Sequence, residues 1–245
     1  MVPRVSHISI ADFGCVEISI PVLTFGDAEG PRLSVVSGIH GDETAGLFVI
    51  ERFLRDIPSF RGCLQILPSA HPYPADLEQT VNMSDGTPVF ARPIRSSDED
   101  LIKGMFYSFS EQTKYLRYHG TLKSLPHNKL QIFCNVDYDT EMALVVVRGD
   151  AGHEEIVGVG RYMTNPARLA AEMAFVVRDD WQRKGVGTYL FKRLIEIGKQ
   201  AGIREFNADV LPENSGMLKI FHRSGLNTET MTDEGVVRVT MQVPE

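Results

Sequence analysis

The chain has 245 residues, of which 43% are apolar and 23% charged, and a formal net charge of −7, which suits one large globular domain or two small ones. Its apolar runs are shorter than a membrane span, and no basic patch with interleaved aromatic residues is present, so we expect neither a membrane nor a nucleic-acid partner. Three widely spaced cysteines, Cys15, Cys63 and Cys134, indicate a cytoplasmic chain with reduced thiols.

Charge is distributed unevenly along the chain. Residues 1–85 carry 5 arginines, no lysine and 11 acidic residues, a net charge of −6, whereas residues 86–245 carry 20 basic and 21 acidic residues, a net charge of −1. The polar stretch QTVNMSDGTP lies at the border between these parts and is typical of a connecting segment. We therefore predict an N-terminal segment (1–80), a linker (81–88) and a second domain (89–245).

Short strands dominate the predicted structure of the N-terminal segment. Alternating or continuous apolar residues predict strands at 8–10, 16–20, 33–36 and 63–67, with a helix at about 44–54 between the last two. This order corresponds to a β-hairpin followed by a βαβ unit.

A histidine and a glutamate three residues apart follow the third predicted strand, in the stretch GIHGDETAG. His40 and Glu43 could both face one zinc ion, which at a catalytic site also needs a third protein ligand and a water. The stretch resembles the succinylglutamate desuccinylase/aspartoacylase family of zinc amidohydrolases, which implies that His40 and Glu43 are zinc ligands.

This resemblance covers only about 80 residues and departs from the family pattern. The Asn-Pro pair of the family is replaced by His71-Pro72, and the third zinc ligand and the general-base glutamate of the family have no counterpart. We expect a truncated segment without hydrolase activity, and a zinc-dependent amidohydrolase or deacylase is the alternative. An incomplete sheet exposes strand edges, so the segment is expected to cover them with the second domain or with another copy of the chain.

Strands and helices alternate in the second domain. The predicted strands are 89–93, 142–148, 156–164, 170–177, 205–210, 227–231 and 236–242, and the predicted helices are 97–109, 110–117, about 188–201 and 214–222. The order favours an α+β fold with a mixed sheet.

Two glycines link the strand 170–177 to the long helix after it. Gly185 and Gly187 lack a Cβ, so backbone amides can approach a ligand closely. The first turn of the helix adds unpaired N–H groups and the positive end of the helix dipole. The spacing is neither that of a P-loop nor that of a dinucleotide fingerprint, but it still predicts a site for a phosphate or pyrophosphate.

The stretch QRKGVG, residues 182–187, resembles the Q/R-x-x-G-x-G/A signature of the GNAT family of N-acetyltransferases. The preceding AEMAFVV, the later Pro212-Glu213-Asn214 and the Ser224-Gly225-Leu226 ending also match. Within the family the chain is most similar to the bacterial protein-lysine acetyltransferase (Pat-type) branch, over about 89–243. The resemblance implies a GNAT fold with a mixed, mostly antiparallel sheet and flanking helices.

The resemblance also implies a cofactor, acetyl-CoA, held between the strands 172–177 and 205–210. Its pyrophosphate would rest on the loop amides, and its pantetheine arm would pair with main-chain groups of the first strand. The implied cofactor-binding residues are Phe175, Val177, Gln182, Arg183, Lys184, Gly185, Val186, Gly187, Thr188 and Asn214.

Two catalytic residues follow from the same comparison. Glu172 aligns with the general base of the branch, and burial on its strand would raise the pKa of the carboxyl toward neutrality; the alternative is an ion pair with Arg161. The N–H of Val176 would polarise the thioester carbonyl. Phe221 stands where many family members have a tyrosine as general acid, so no acid is assigned, and the adjacent His222 is expected on the surface.

The function that the resemblance implies is transfer of the acetyl group of acetyl-CoA to a primary amine, with a protein lysine as the acceptor. A small-molecule amine is the alternative acceptor. A non-catalytic CoA-sensing module is a further alternative, which would bind the cofactor without Glu172-dependent turnover.

Overall fold

The computed structural model describes residues 4–12, 17–26, 32–36, 63–67 and 73–244, except 121, 151, 166, 168 and 234. The chain divides into two compact units. The first comprises Met1–Tyr73 with Asp137–Asp139, and the second comprises Pro74–Val136 with Thr140–Glu245.

The first unit contains a four-stranded sheet with the order β1-β2-β4-β3. Its strands are β1 (Arg4–Asp12), β2 (Glu17–Gly26), β3 (Arg32–Val36) and β4 (Cys63–Leu67). The β1–β2 and β2–β4 pairs are antiparallel, and β3 and β4 are parallel, as a βαβ unit requires. The predicted helix 44–54 lies outside the described residues.

The second unit contains eight strands and five α-helices among its described residues. The strands are β5 (Gln79–Asn82), β6 (Pro88–Pro93), β7 (Glu141–Arg148), β8 (Glu155–Thr164), β9 (Ala170–Val177), β10 (Glu205–Val210), β11 (Asn227–Asp233) and β12 (Val236–Gln242). The helices are α1 (Glu99–Tyr107), α2 (Glu111–Tyr118), α3 (His127–Cys134), α4 (Val186–Gln200) and α5 (Ser215–His222). None of the helices in these ranges has the length and apolar character needed to cross a membrane.

One sheet organises the second unit, with the order β11-β12-β10-β9-β8-β7-β6-β5. Neighbouring strands are antiparallel except β9 and β10, which are parallel. The predicted α+β architecture, a mixed and mostly antiparallel sheet with flanking helices, is therefore confirmed.

The segment 81–88, predicted as a linker, is part of this sheet. β5 pairs with β6 along the edge, so 83–87 is the turn of a β-hairpin. The side chain of Met83 is 6% exposed, and such burial fixes a turn that reads as polar in sequence. The division between the two units falls at Tyr73, ahead of the predicted linker.

Helix α3 was not predicted from the sequence. It has only eight residues, follows Pro126 as its N-cap, and leaves Ile132 63% exposed. Because the apolar residues do not share one face, the segment lacks the periodicity by which amphipathic helices are recognised.

Helix α4 packs closely on β8 through small residues in the strand. The buried residues of the helix recur at helical spacing, among them Val186, Leu190, Leu194 and Ile197. A Cβ added to Gly158 would lie 2.5 Å from Val186 Cγ1 and 3.2 Å from Leu190 Cδ1. The first turn of α4 can therefore approach the sheet only because Gly158 has no side chain.

We expect Gly158→Ala to lower the free energy of unfolding by about 1–3 kcal/mol, because the added methyl group overfills this contact. Denaturant unfolding followed by the fluorescence of Trp181, the one tryptophan of the chain, measures the change. Gly104→Ala in α1 is the matched control, since nothing lies within 4 Å of its added Cβ, and it should raise stability by roughly 0.5–1 kcal/mol. Unchanged stability of Gly158→Ala would mean that α4 moves away without loss.

Candidate active site

Strands β9 and β10 separate near the middle of the sheet. They pair only over 170–172 and 205–207, although both strands continue, to Val177 and Val210. A parallel pair that parts in this way leaves main-chain groups without a neighbouring strand. A gap therefore opens in the sheet at the carboxyl end of β9.

The hydrogen bonds of β9 show which of its main-chain groups face this gap. The N–H of Arg178 donates to the carbonyl of Val157 (2.9 Å), and the carbonyl of Ala170 accepts from Asn165 (2.8 Å). Because main-chain groups alternate in direction along a strand, the even-numbered residues of β9 face β8 and the odd-numbered residues face β10.

The predicted carbonyl-polarising donor is corrected by this alternation. The N–H of Val176 points toward β8, where the register places it opposite Val159, and is unsuited to a ligand in the gap. The main chains of Phe175 and Val177 point into the gap, and their pairing with pantetheine remains a prediction. The carbonyl of Val177 also accepts a bond from Gln182 Nε2 (3.2 Å). The N–H groups of Phe175 and Val177, on either side of Val176, therefore face the gap, and that of Phe175 is nearer to Glu172 along the strand.

A cavity of about 430 Å³ lies at the end of β9, against the glycine loop and α5. Its lining combines loop residues with residues of α2, β9 and α5. The residues of the predicted cofactor site that line it are Phe175, Val177, Gln182, Arg183, Gly185, Gly187, Thr188 and Asn214.

The glycine loop has the backbone geometry of an anion site. Gly185 precedes α4 with φ 93°, and Arg183 has φ 63°, a region that non-glycine residues seldom adopt. The first N–H groups of α4, at Val186, Gly187 and Thr188, have no acceptor in the described part of the chain. Unpaired amides at the positive end of a helix fit a phosphate group.

Two predicted loop residues contribute differently from expectation. The side chain of Lys184 does not line the cavity; its Nζ lies 3.4 Å from the Asp85 carboxylate and 4.7 Å from the centre of the Trp181 ring. The side chain of Val186 is buried in the core, so only its main chain can face a ligand. The positive side chain that the loop contributes to the cavity wall is that of Arg183.

Asn214 has two roles at the start of α5. Its Oδ1 accepts from the N–H of Met217 (3.2 Å) and caps the helix. This fixes the side chain on the wall that the cavity shares with a second cavity, as its predicted contact with the pantetheine requires. Its Nδ2 has no acceptor among the described residues.

The second cavity, of about 340 Å³, opens where β9 and β10 diverge. Glu172 lies on its wall, together with Arg117, Asp209 and Phe221. Glu172 is exposed, which corrects the prediction of a buried carboxyl. The divergence of β10 just beyond Asn207 uncovers this part of β9. The alternative ion pair with Arg161 is not formed, since Arg161 Nη2 lies 2.6 Å from Glu141 Oε2.

Arg117 of α2 lies where the two cavities meet and is half-buried. Burial lowers the pKa of its guanidinium, and repulsion from Arg161 adds to this, while attraction to Tyr118 and Glu172 opposes it. No carboxylate in the described part of the chain lies within 4 Å of Arg117. The charges of Arg117 and Glu172 therefore interact through space across the second cavity.

Phe221 packs in an aromatic cluster beneath the site, as expected of a position without an acid. Its ring centroid is 5.5 Å from that of Phe191 and 6.2 Å from that of Phe175, and the side chain is fully buried. His222 is exposed, as predicted. Neither residue supplies a proton donor to the cavities.

A polar cluster that the sequence did not reveal ties α2 to the turn before the loop. The Asp179 carboxylate accepts from the N–H (2.9 Å) and hydroxyl (2.6 Å) of Ser110 and from the hydroxyl of Thr113 (2.8 Å). Gln182 Nε2 donates to Thr113 Oγ1 (3.2 Å). Partial burial by itself would raise the pKa of the Asp179 carboxyl. The hydrogen bonds from Ser110 and Thr113 have the larger combined effect and hold this pKa below its ordinary value.

We expect the contribution of Asp179 to stability to depend on pH. A depressed pKa in the folded state stabilises the fold above the ordinary aspartate range, and the effect is lost as the pH falls through the folded pKa. Asp179→Asn should therefore lower the free energy of unfolding at pH 7, by at most about 1 kcal/mol because the carboxylate is exposed and screened. The two proteins should converge once the pH falls below the folded pKa of Asp179, which lies under the ordinary aspartate value.

Urea unfolding at several pH values, followed by Trp181 fluorescence, tests this. The control is Asp76→Asn, which removes an exposed carboxylate that accepts no side-chain hydrogen bond in the described residues. A stability difference between wild type and Asp179→Asn that stays constant from pH 7 to pH 3 would contradict the assignment.

No group of three or more His, Cys, Asp or Glu side chains suited to a metal ion occurs in the described ranges. His40 and Glu43 lie outside them, as does His71. Zinc binding by His40 and Glu43 therefore remains a prediction.

Comparison with known proteins adds to this geometry. The sequence profile of the Acetyltransferase (GNAT) family matches residues 106–226. Acetyltransferase Pat of Mycolicibacterium smegmatis is 30% identical over 165 residues, or 67% of this chain and 48% of that protein, so the chain spans about half the length of this relative. An acetyltransferase of Pseudomonas aeruginosa is 27% identical over 124 residues, or 51% of this chain and 67% of that protein.

Solved structures show the same relationship. The GNAT domain of S. lividans PAT superposes with a TM-score of 0.63 at 29% identity and covers 70% of this chain and 99% of that chain. A domain from Methanocaldococcus jannaschii shares the fold, with a TM-score of 0.52 at 12% identity over 68% of this chain and 99% of that chain. The chain therefore carries, as its second unit, an acetyltransferase domain of the GNAT family.

Proposed function

We propose that the second unit transfers an acetyl group from acetyl-CoA to the side-chain amine of a protein lysine. The observation that carries the proposal is the junction of the two cavities. One cavity has unpaired loop amides for a pyrophosphate, the other has Glu172 for an amine, and they share Phe175, Asn214 and Arg117.

Acetyl-CoA supplies an acetyl thioester that is activated toward amines. The amides from Arg183 to Thr188 would hold its pyrophosphate, and the main chains of Phe175 and Val177 would pair with its pantetheine arm. The N–H of Phe175, which faces the gap on the side nearer to Glu172, would stabilise charge that develops on a carbonyl oxygen. Asn214 Nδ2 adds a side-chain donor on the opposite wall.

Glu172 is the proposed general base. Three residue spacings along β9, about 10 Å, separate Glu172 from Phe175, which leaves room for an acceptor amine and a water between the carboxylate and the Phe175 amide. Amide formation joins the amine nitrogen to the acetyl carbon and breaks the C–S bond, while the amine proton passes through water to Glu172. With Phe221 at the usual position of the acid, the leaving thiolate takes its proton from solvent.

The resemblance to the protein-lysine acetyltransferase branch supports lysine as the acceptor. The Glu172 carboxylate on the wall of the second cavity would attract a lysine ammonium before its proton is removed, whereas the Asp209 carboxylate is already paired with Arg238 (2.8 Å). A small cationic amine would be attracted in the same way and is the alternative acceptor.

The test is release of free CoA thiol from acetyl-CoA with a lysine peptide library or with a panel of small amines, with mass spectrometry of the products. We expect thiol release with peptides and a mass gain on their lysines. Release of CoA thiol with small amines but not with peptides would show that the acceptor is a small amine and not a protein lysine. Binding of acetyl-CoA without turnover on any amine would instead support a CoA-sensing module.

A further inference from the structure

The turn of the β5–β6 hairpin lies against the glycine loop. The N–H of Ser84 donates to the carbonyl of Lys184 (2.9 Å), and Asp85 is the ion-pair partner of Lys184 Nζ. Further along the hairpin, Gln79 Nε2 donates to the Tyr189 hydroxyl (2.6 Å). These contacts fasten the turn to the loop and to the first turn of α4.

The turn is held in one conformation by its own hydrogen bonds. Met83 donates to the carbonyl of Thr87 and accepts from Gly86, both at 2.9 Å, and Asp85 Oδ1 accepts from the N–H of Thr87 (3.0 Å). Gly86 has φ 82°, which glycine adopts without strain. With Met83 buried, the turn presents Ser84 in a fixed position, and a fixed donor loses little entropy when it binds a ligand.

The Ser84 side chain lines the 430 Å³ cavity with Gly185 and Gly187. Its hydroxyl would lie 3.5 Å from a Cβ built on Gly185, beside the amides at the start of α4. The N–H of Ser84 donates to the carbonyl of Lys184, but its hydroxyl has no partner in the described part of the chain. A free hydroxyl thus faces the place at which a phosphate on the loop amides would lie.

We propose that Ser84 is a cofactor-binding residue whose hydroxyl donates a hydrogen bond to the pyrophosphate of acetyl-CoA. The hairpin then forms the outer wall of the pyrophosphate site, and the phosphate oxygens receive donors from two sides, the loop amides and the turn. This inference rests on the proposed function, because it assumes that acetyl-CoA occupies this cavity.

Calorimetric titration of acetyl-CoA into the full chain tests the proposal with the variants Ser84→Ala and Thr80→Ala. Ser84→Ala should weaken binding about 5- to 10-fold, the value expected for one hydrogen bond to a charged group near solvent. Thr80 is exposed on the same hairpin and lines none of the cavities, so Thr80→Ala should bind as wild type does. Equal affinity of Ser84→Ala and wild type overturns the proposal.

A second titration with 3′-dephospho-CoA distinguishes the two phosphate groups of the cofactor. The loss caused by Ser84→Ala should be the same for both ligands if the hydroxyl binds the pyrophosphate. A loss seen only with the 3′-phosphorylated ligand would overturn the assignment to the pyrophosphate. Failure of the wild type to bind acetyl-CoA would refute the proposed function itself, which is a different result from equal binding by both proteins.

Discussion

Replacing Glu172 by glutamine should lower kcat for acetyl transfer by roughly 10²- to 10³-fold, the usual contribution of a general base. The amide keeps the size of the side chain but cannot accept a proton. Because Glu172 lines the second cavity and not the first, the dissociation constant of acetyl-CoA should stay within about twofold of wild type. Steady-state kinetics with a lysine peptide and calorimetry of acetyl-CoA measure the two quantities.

Glu196→Gln is the matched control for this experiment. Glu196 is exposed on α4 and pairs with Arg193 (3.1 Å) one turn earlier, away from both cavities, and exposed ion pairs of this kind contribute little. Its kcat should be that of wild type. If Glu172→Gln also keeps wild-type turnover, another group removes the proton and the assignment of the base is wrong.

Replacing Gly185 by glutamate should weaken acetyl-CoA binding by at least about 100-fold. The residue has φ 93°, so any side chain strains the loop. The new carboxylate would also stand at the amides that receive the phosphates, where like charges repel and charge-assisted hydrogen bonds are lost. Calorimetric titration of acetyl-CoA measures the effect, and affinity within tenfold of wild type would show that the pyrophosphate does not rest on this loop.

The variant Gly202→Glu distinguishes the effect of backbone strain from the effect of a carboxylate at the loop amides. Gly202 follows the other end of α4 with φ 82°, and a Cβ there meets nothing within 4 Å. The substitution imposes a similar backbone penalty of about 1 kcal/mol at a position remote from the cavities. Its stability should fall while its affinity for acetyl-CoA does not, whereas Gly185→Glu should lose both.

The features that could be predicted from the sequence are those encoded by neighbouring residues. β9 and β10 begin and end where predicted, since β9 is a mostly apolar stretch, β10 alternates polar and apolar residues, and polar turns bound both strands. The loop at Gly185 could be predicted because its conformation depends on residues without a Cβ. Asn214 occupies the N-cap of α5 because its side chain suits that position.

The features that were missed depend on distant partners. The turn at Ser84 reads as a linker because the carbonyl it donates to belongs to Lys184, 100 positions later. Glu172 was expected to be buried, but its exposure is decided by where β10 leaves β9. The choice between the amides of Phe175 and Val176 depends on the register with β8, which no local pattern records.

The parting of β9 and β10 also links the integrity of the sheet to its ligand. Three register pairs join the block of strands β5 to β9 to the block formed by β10, β12 and β11. A molecule whose amides pair with Phe175 would occupy the position of an absent strand. Because such a ligand binds only the folded protein, it would raise the free energy of unfolding by about 2.7 kcal/mol at a concentration 100 times its Kd. The concentration of cofactor around the protein would then determine how often the β9–β10 junction opens. It would also determine how much destabilisation by substitutions the fold can tolerate.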